Sequence, residues 1–149
     1  MNENLKLGNQ LCFRFYTVSR LLTQAYTPLL RELGITYPQY LVMMVLWEKD
    51  AQPVNDIAQR LYLETNTVTP LLKRMEADGL VERLRDAADG RKVIVRLTAA
   101  GRALEDRAAS VPEGLAGALS PCRSLSSDKA PGLYAACDDI IATLKYSRR

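Results

Sequence analysis

The chain has 149 residues, 48% hydrophobic and 25% charged, with 20 basic and 17 acidic side chains and a net charge of +3. That composition is globular, leaves room for one domain with helical extensions, and excludes two large domains. Histidine is absent, which removes a Ser-His-Asp or Cys-His nucleophile and any His-based metal site and argues against most hydrolytic chemistry; the expected protein is not an enzyme and carries no metal or cofactor. No stretch approaches the roughly 18 apolar residues of a membrane span, and the opening MNENLKLGNQ lacks the pattern of a secretion signal, so a cytoplasmic protein without membrane attachment is expected.

From residue 5 to residue 30 apolar side chains recur at Leu11, Phe15, Val18, Leu22, Ala25 and Leu29, steps of four and three that predict one long helix with a single stripe. Gly34 closes it, and Pro28 is expected to kink or restart it. Thr36-Tyr37-Pro38-Gln39 has the form of a capping box with proline in the first turn, so a second helix runs to about residue 49. After Pro53, the spacing of Val54, Ile57, Ala58 and Leu61 predicts a short helix, and Tyr62-Leu63-Glu64 a turn. Over residues 65–78, Val68, Leu71, Leu72 and Met75 share one face and Gly79 is the stop. Residues 80–85 and 93–97 read as two strands joined by a polar tip. Thr98 caps a further helix to about residue 111, Pro112 and Pro121 interrupt, and a last helix runs from about residue 127 to 146, ahead of Arg148 and Arg149.

Helix, turn, helix and hairpin in that order form the winged helix-turn-helix arrangement, whose second helix enters the major groove of DNA. The expected fold class is therefore mainly α with a small β-hairpin wing. Residues 35–98 form the winged domain, and residues 1–34 and 99–149 a helical dimerisation region, because neither terminal helix can bury its face in so small a central domain. On the second helix of the motif, a step of about 100° per residue puts Asn66, Thr69, Pro70, Lys73 and Arg74 on or beside the face opposite the apolar one. With Thr65 and Thr67 they make a predicted DNA-binding surface of amide, hydroxyls and cations without an acid. Residues 54–96 carry eight basic and seven acidic side chains, so binding must come from segregation of charge. Arg85, Arg91 and Lys92 at the hairpin are the expected backbone or minor-groove contacts, with Asp86 and Asp89 placed to orient them. A solvated helix beside a plain charged turn is the competing reading of the same residues.

Asp89-Gly90-Arg91, followed by Leu97-Thr98-Ala99-Ala100-Gly101, resembles the DxR and LTxxG signature of the multiple-antibiotic-resistance (MarR-type) regulators, and residues 67–76 are similar to that family's recognition helix. Asn9-Gln10-Leu11-Cys12-Phe13, Tyr26, Thr36-Tyr37-Pro38-Gln39-Tyr40-Leu41 and Leu46-Trp47-Glu48 resemble its organic hydroperoxide resistance branch. The resemblance implies a homodimeric repressor on a pseudo-palindromic double-stranded operator, released when an organic hydroperoxide oxidises an N-terminal cysteine, here Cys12. It implies hydrogen bonds to the sensor thiolate from Tyr26 and Tyr37, partly across the dimer; Tyr16, one turn beyond Cys12, is a further candidate. In two-cysteine members of this branch a C-terminal cysteine of the other subunit closes a disulfide with the sensor. Cys122, beside helix-breaking Pro121, is the first choice; Cys137, in a helical pattern and expected to be packed, is the second. A regulator answering to a reversibly bound apolar or phenolic ligand, with Cys12 a bystander, stays open.

Overall fold

The computed structural model describes residues 2–147; Arg148 and Arg149 lie outside the described residues. Two 3₁₀ turns, Glu3–Leu5 and Leu7–Asn9, lead into α1 (Leu11–Arg31), then α2 (Tyr37–Glu48), β1 (Gln52–Pro53), α3 (Val54–Arg60), α4 (Thr65–Ala77), β2 (Val81–Arg85), β3 (Val93–Leu97), α5 (Ala99–Ala108), α6 (Val111–Leu119) and α7 (Ala130–Tyr146). Packing divides the chain into two compact units, Met1–Pro112 and Glu113–Arg149.

The first unit is built around α2. Thr36 caps it as the sequence implies: the Thr36 hydroxyl accepts from the Gln39 N–H, and the Gln39 side chain accepts from the Thr36 N–H at 2.9 Å. The helix is apolar on almost every face and buries Gln39, Tyr40, Val42, Met43, Val45 and Leu46. Around it close Ile57 and Ala58 of α3, Val68, Leu72 and Met75 of α4, Val81 and Val95 of the sheet, and Leu104 and Ala108 of α5. Burying each large aliphatic side chain in such a core contributes about 1.5–3 kcal/mol.

The wing is the antiparallel pair β2 and β3, registered Val81 to Leu97 and Arg85 to Val93. A third strand unforeseen by the sequence, β1, lies on the other edge of β3, pairing Gln52 with Val95. It follows a turn at Ala51 with φ of 56°. The Asp50 carboxylate pins the turn by accepting from the Ala51 N–H at 2.7 Å and the Leu97 N–H at 2.8 Å. Gln52 is buried and donates to the Val45 carbonyl at 3.0 Å and to the Lys49 carbonyl.

Gly79, with φ of 74°, turns the chain out of α4 into β2. Thr98 then caps α5, accepting from the Gly101 N–H at 3.0 Å and donating to the Gly79 carbonyl at 2.6 Å. A β-carbon at Gly101 would stand 2.1 Å from the Leu80 carbonyl oxygen, so only glycine lets α5 approach the root of the wing this closely. The Gly101 carbonyl accepts from the Trp47 indole N–H at 3.0 Å, tying α5 to α2.

The long N-terminal helix starts at Leu11, later than its apolar spacing suggests. Gln10 is extended and its carboxamide bonds back to the Asn4 and Lys6 carbonyls, which closes the preceding residues into 3₁₀ turns. The helix runs unbroken through Pro28 to Arg31. Its stripe is half-buried at Leu22, Ala25 and Leu29 but exposed at Leu11, Phe15 and Val18.

The helix capped by Thr98 ends at Ala108, a little before the expected residue 111, and α6 begins at Val111 with Pro112 in its first turn, where its missing donor costs little, and runs to Leu119. A 3₁₀ turn, Arg123–Leu125, precedes α7, which begins at Ala130 with Pro131 in its first turn, three residues later than expected. No residue of α7 is buried.

Candidate nucleic-acid interface and sensor cysteine

On α4 the periodicity has the consequence expected of it. Val68, Leu72 and Met75 are fully buried, whereas Thr65, Asn66, Thr67, Pro70, Lys73 and Arg74 are exposed and Thr69 is half-buried. Pro70 stands inside the helix on its exposed face. The Thr69 hydroxyl donates to the Thr65 carbonyl at 2.8 Å, and the Thr65 hydroxyl to the Asn55 side chain of α3 at 3.0 Å. Neither Lys73 nor Arg74 pairs with a carboxylate among the described residues, so both ammonium and guanidinium groups face water uncompensated. A cleft of about 450 Å³ separates this face from the wing, lined among others by Asn55, Thr65, Thr69, Arg83, Arg91 and Lys92.

The wing tip is ordered by its own acids. Asp89 accepts from the Arg91 N–H at 3.1 Å and its side chain at 3.2 Å. That arginine leaves the Asp89 carboxyl below its ordinary pKa. The Arg91 side chain nevertheless stays 92% exposed, free to meet a phosphate or a groove. Asp86 does not orient an arginine; its carboxylate accepts from the Ala88 N–H at 3.0 Å and shapes the loop backbone instead. Among the described residues Arg85 reaches the Gly90 carbonyl, at 3.5 Å.

Two ties missed by the sequence reading hold the wing to its lobe. Glu76 of α4 accepts from the Arg83 N–H at 3.0 Å and from its guanidinium at 2.9 Å, and these bonds hold the Glu76 carboxyl below the usual range. Asp50 pairs with Arg102 of α5 at 2.6 Å. Burial alone would raise its pKa, but the Leu97 and Ala51 N–H donors and Arg102 outweigh burial and leave it lowered. The Asp50–Arg102 pair joins residues 52 apart in sequence, whereas Glu76 and Arg83 are seven apart and meet across the turn from α4 to β2.

Cys12 lies in the first turn of α1 and is exposed, as are Cys122, in the turn after α6, and Cys137 on α7. Cys137 is therefore not packed in the chain, because α7 offers no buried face. Tyr26 and Tyr37 come together, ring centroids 4.7 Å apart, and Tyr40, which was not among the predicted thiolate donors, joins at 5.9 Å from Tyr26. Burial raises the pKa of all three phenols, and the neighbouring tyrosines add to this for Tyr26 and Tyr40. They stay protonated at neutral pH and remain hydrogen-bond donors. Tyr16 is exposed. Fourteen residues of helix separate Cys12 from Tyr26, about 21 Å at 1.5 Å per residue, so the chain does not bring its own sensor candidate to its own tyrosine pair.

The family model of the transcriptional regulators SarA and Rot matches residues 24–107. The chain belongs to that family. The regulator is 45% identical over 115 residues to the organic hydroperoxide resistance transcriptional regulator of Bacillus subtilis (strain 168), an overlap of 77% of this chain and 78% of that protein. Among solved structures it is similar to reduced AbfR bound to DNA, with 38% identity, a TM-score of 0.79 and 99% of each chain covered; AbfR is a protein of Staphylococcus epidermidis. It also matches the disulfide form of AbfR, with a TM-score of 0.61 and coverage of 97% of this chain and 93% of that one. The expected resemblance to MarR-type hydroperoxide regulators and the winged helix-turn-helix fold therefore both hold, and these relatives are regulators of transcription, not enzymes.

Proposed function

We propose that this regulator is a cytoplasmic homodimeric repressor that binds a pseudo-palindromic operator when reduced and releases it when an organic hydroperoxide oxidises Cys12. α4 enters the major groove, with Asn66, Thr69, Lys73 and Arg74 toward base edges and phosphates and Thr65, Thr67 and Pro70 along the approach; Arg85, Arg91 and Lys92 hold the flanking backbone. AbfR, 38% identical, has been solved in its reduced form on DNA, which supports this docking. The helices of residues 1–34 and 99–149 form the dimer, consistent with the uncovered side chains of Leu11, Phe15, Val18 and Leu21 on α1.

The observation that carries the sensing role is the mismatch within one chain. An exposed thiol stands at one end of α1, and a pair of protonated tyrosines, Tyr26 and Tyr37, stands near the other. A second copy of α1 supplies each thiol with the other chain's phenols, and Tyr16 adds a third donor from one turn away. Hydrogen bonds to the thiolate favour that form. The thiolate attacks one peroxide oxygen, the O–O bond breaks, an alcohol leaves after taking up a proton, and the sulfur becomes a sulfenic acid, oxidised by two electrons. Condensation with a second thiol forms a disulfide and releases water. Cys122, exposed in a turn between helices, is the favoured partner and Cys137 the alternative. AbfR, 38% identical, has been solved in a disulfide form, which supports this route.

A second reading rests on another cleft, about 490 Å³, lined by Thr23, Thr27, Leu30, Arg31 and Tyr37 among others. Its hydroxyls, cation and apolar wall suit a small phenolic ligand that would release DNA without cysteine chemistry. Binding of reduced protein to the DNA upstream of its own gene, before and after stoichiometric hydroperoxide, separates the two. Release in wild type and retention in Cys12→Ser support peroxide sensing; equal behaviour of the two proteins contradicts it.

A further inference from the structure

We infer that the buried Gln39 carboxamide, through Asp78, is the joint by which the N-terminal end of α2 sets the seat of the recognition helix α4. Gln39 is 6% exposed and both ends of its amide are used. Its oxygen accepts from the Thr36 N–H at 2.9 Å, closing the cap of α2, and its nitrogen donates to the Asp78 carboxylate at 3.3 Å. Asp78 is the C-cap of α4, and its N–H is held by the Arg74 carbonyl at 2.8 Å. One amide therefore joins the start of one helix to the end of another, 39 residues away in sequence, and the far side of the bond is one turn from Lys73 and Arg74.

Other polar ties position α4, at Asn55 and at Arg83, but those lead to α3 and to the wing. The Gln39 bond alone among these three leads back to the α1–α2 junction. Tyr37 lies inside the same four-residue box, between Thr36 and Gln39, with its ring against Tyr26 of α1. A shift of Tyr37 by chemistry at the sensor disturbs the box, and the box holds Asp78. The regulatory half of this inference rests on the peroxide-sensing reading above; the positioning half does not.

The test uses Asp78, which is exposed and can be changed without opening the core. Asp78→Ala and Asp78→Asn remove the same charge, but only asparagine still accepts from the Gln39 amide, so their difference isolates the hydrogen bond. On reduced protein, with matched thermal unfolding midpoints, Asp78→Ala is expected to bind the DNA upstream of its gene about threefold to tenfold more weakly than Asp78→Asn, the span of one net hydrogen bond. Binding to a random duplex of equal length should not distinguish them. Equal specific affinities for the two variants overturn the joint. After hydroperoxide treatment the gap is expected to close, since the bond is already lost. A gap that persists while wild type is released shows that the signal travels elsewhere. If wild type is not released, or Cys12→Ser is released equally, the sensing reading fails and the reduced-state comparison alone decides the joint.

Discussion

α2 and α7 are both apolar helices, yet α2 buries six of its twelve residues and α7 none of its seventeen. The difference lies in surroundings. α2 is enclosed by α3, α4, α5 and the sheet, so its side chains close a core within one chain. α7 leaves Leu133, Tyr134, Ile140, Ile141, Leu144 and Tyr146 exposed, and the first half of α1 does the same with Leu11, Phe15 and Val18. An apolar pattern thus says that a helix needs a partner without saying whether the same chain provides it. Here the lobe around α2 closes its own core, whereas α7 and the first half of α1 keep apolar faces uncovered, which the proposed dimer would bury.

The largest test of that contrast compares like substitutions in the two regions. Leu72→Ala, in the filled core, is expected to cost about 2–5 kcal/mol in denaturant unfolding. Leu144→Ala should instead lower stability only at concentrations where the protein is dimeric, its effect vanishing on dilution. A large, concentration-independent loss for Leu144→Ala would erase the distinction. Next in size, Gly101→Ala forces a methyl group into the Leu80 carbonyl and is expected to lose about 3 kcal/mol by thermal unfolding, because α5 must move off the wing root.

Within the readout lobe, α4 and the wing should also part company. Arg74→Ala is expected to weaken operator binding by about 1–3 kcal/mol and to relax sequence preference; Lys92→Ala should weaken all sequences alike and reduce the salt dependence by about one unit of slope. Titrations at several salt concentrations on specific and random duplexes read both. The smallest effect concerns Asp50. Its carboxyl lies below the ordinary range when folded, so the stability it contributes is present above that range and lost as pH falls through the lowered value. Asp50→Asn should flatten that acid limb of the stability curve.

Periodicity made the lobe legible. The capping box at Thr36, the split faces of α4 and the strands of the wing follow from spacing alone, and so do the exposed positions of Lys73 and Arg74. What escaped was tertiary. β1 is two residues long and exists because Asp50 and the Gln52 amide hold its turn; Gln10 folds back on Asn4 and Lys6 to delay α1; Glu76 meets Arg83 only because α4 and β2 are adjacent. The sensor was legible only by resemblance. Cys12, Tyr26 and Tyr37 do not converge within one chain, and the rise of a helix already says that two points on α1 fourteen residues apart cannot meet.

In the proposed switch, oxidation of Cys12 and loss of DNA are one event. A titration with organic hydroperoxide that follows, in one sample, the fraction of Cys12 oxidised by peptide mass and the fraction of operator released tests it directly. The two curves are expected to superimpose, reaching completion near one equivalent per subunit. Release while the Cys12 thiol is intact, or full Cys12 oxidation with the operator still bound, would contradict it.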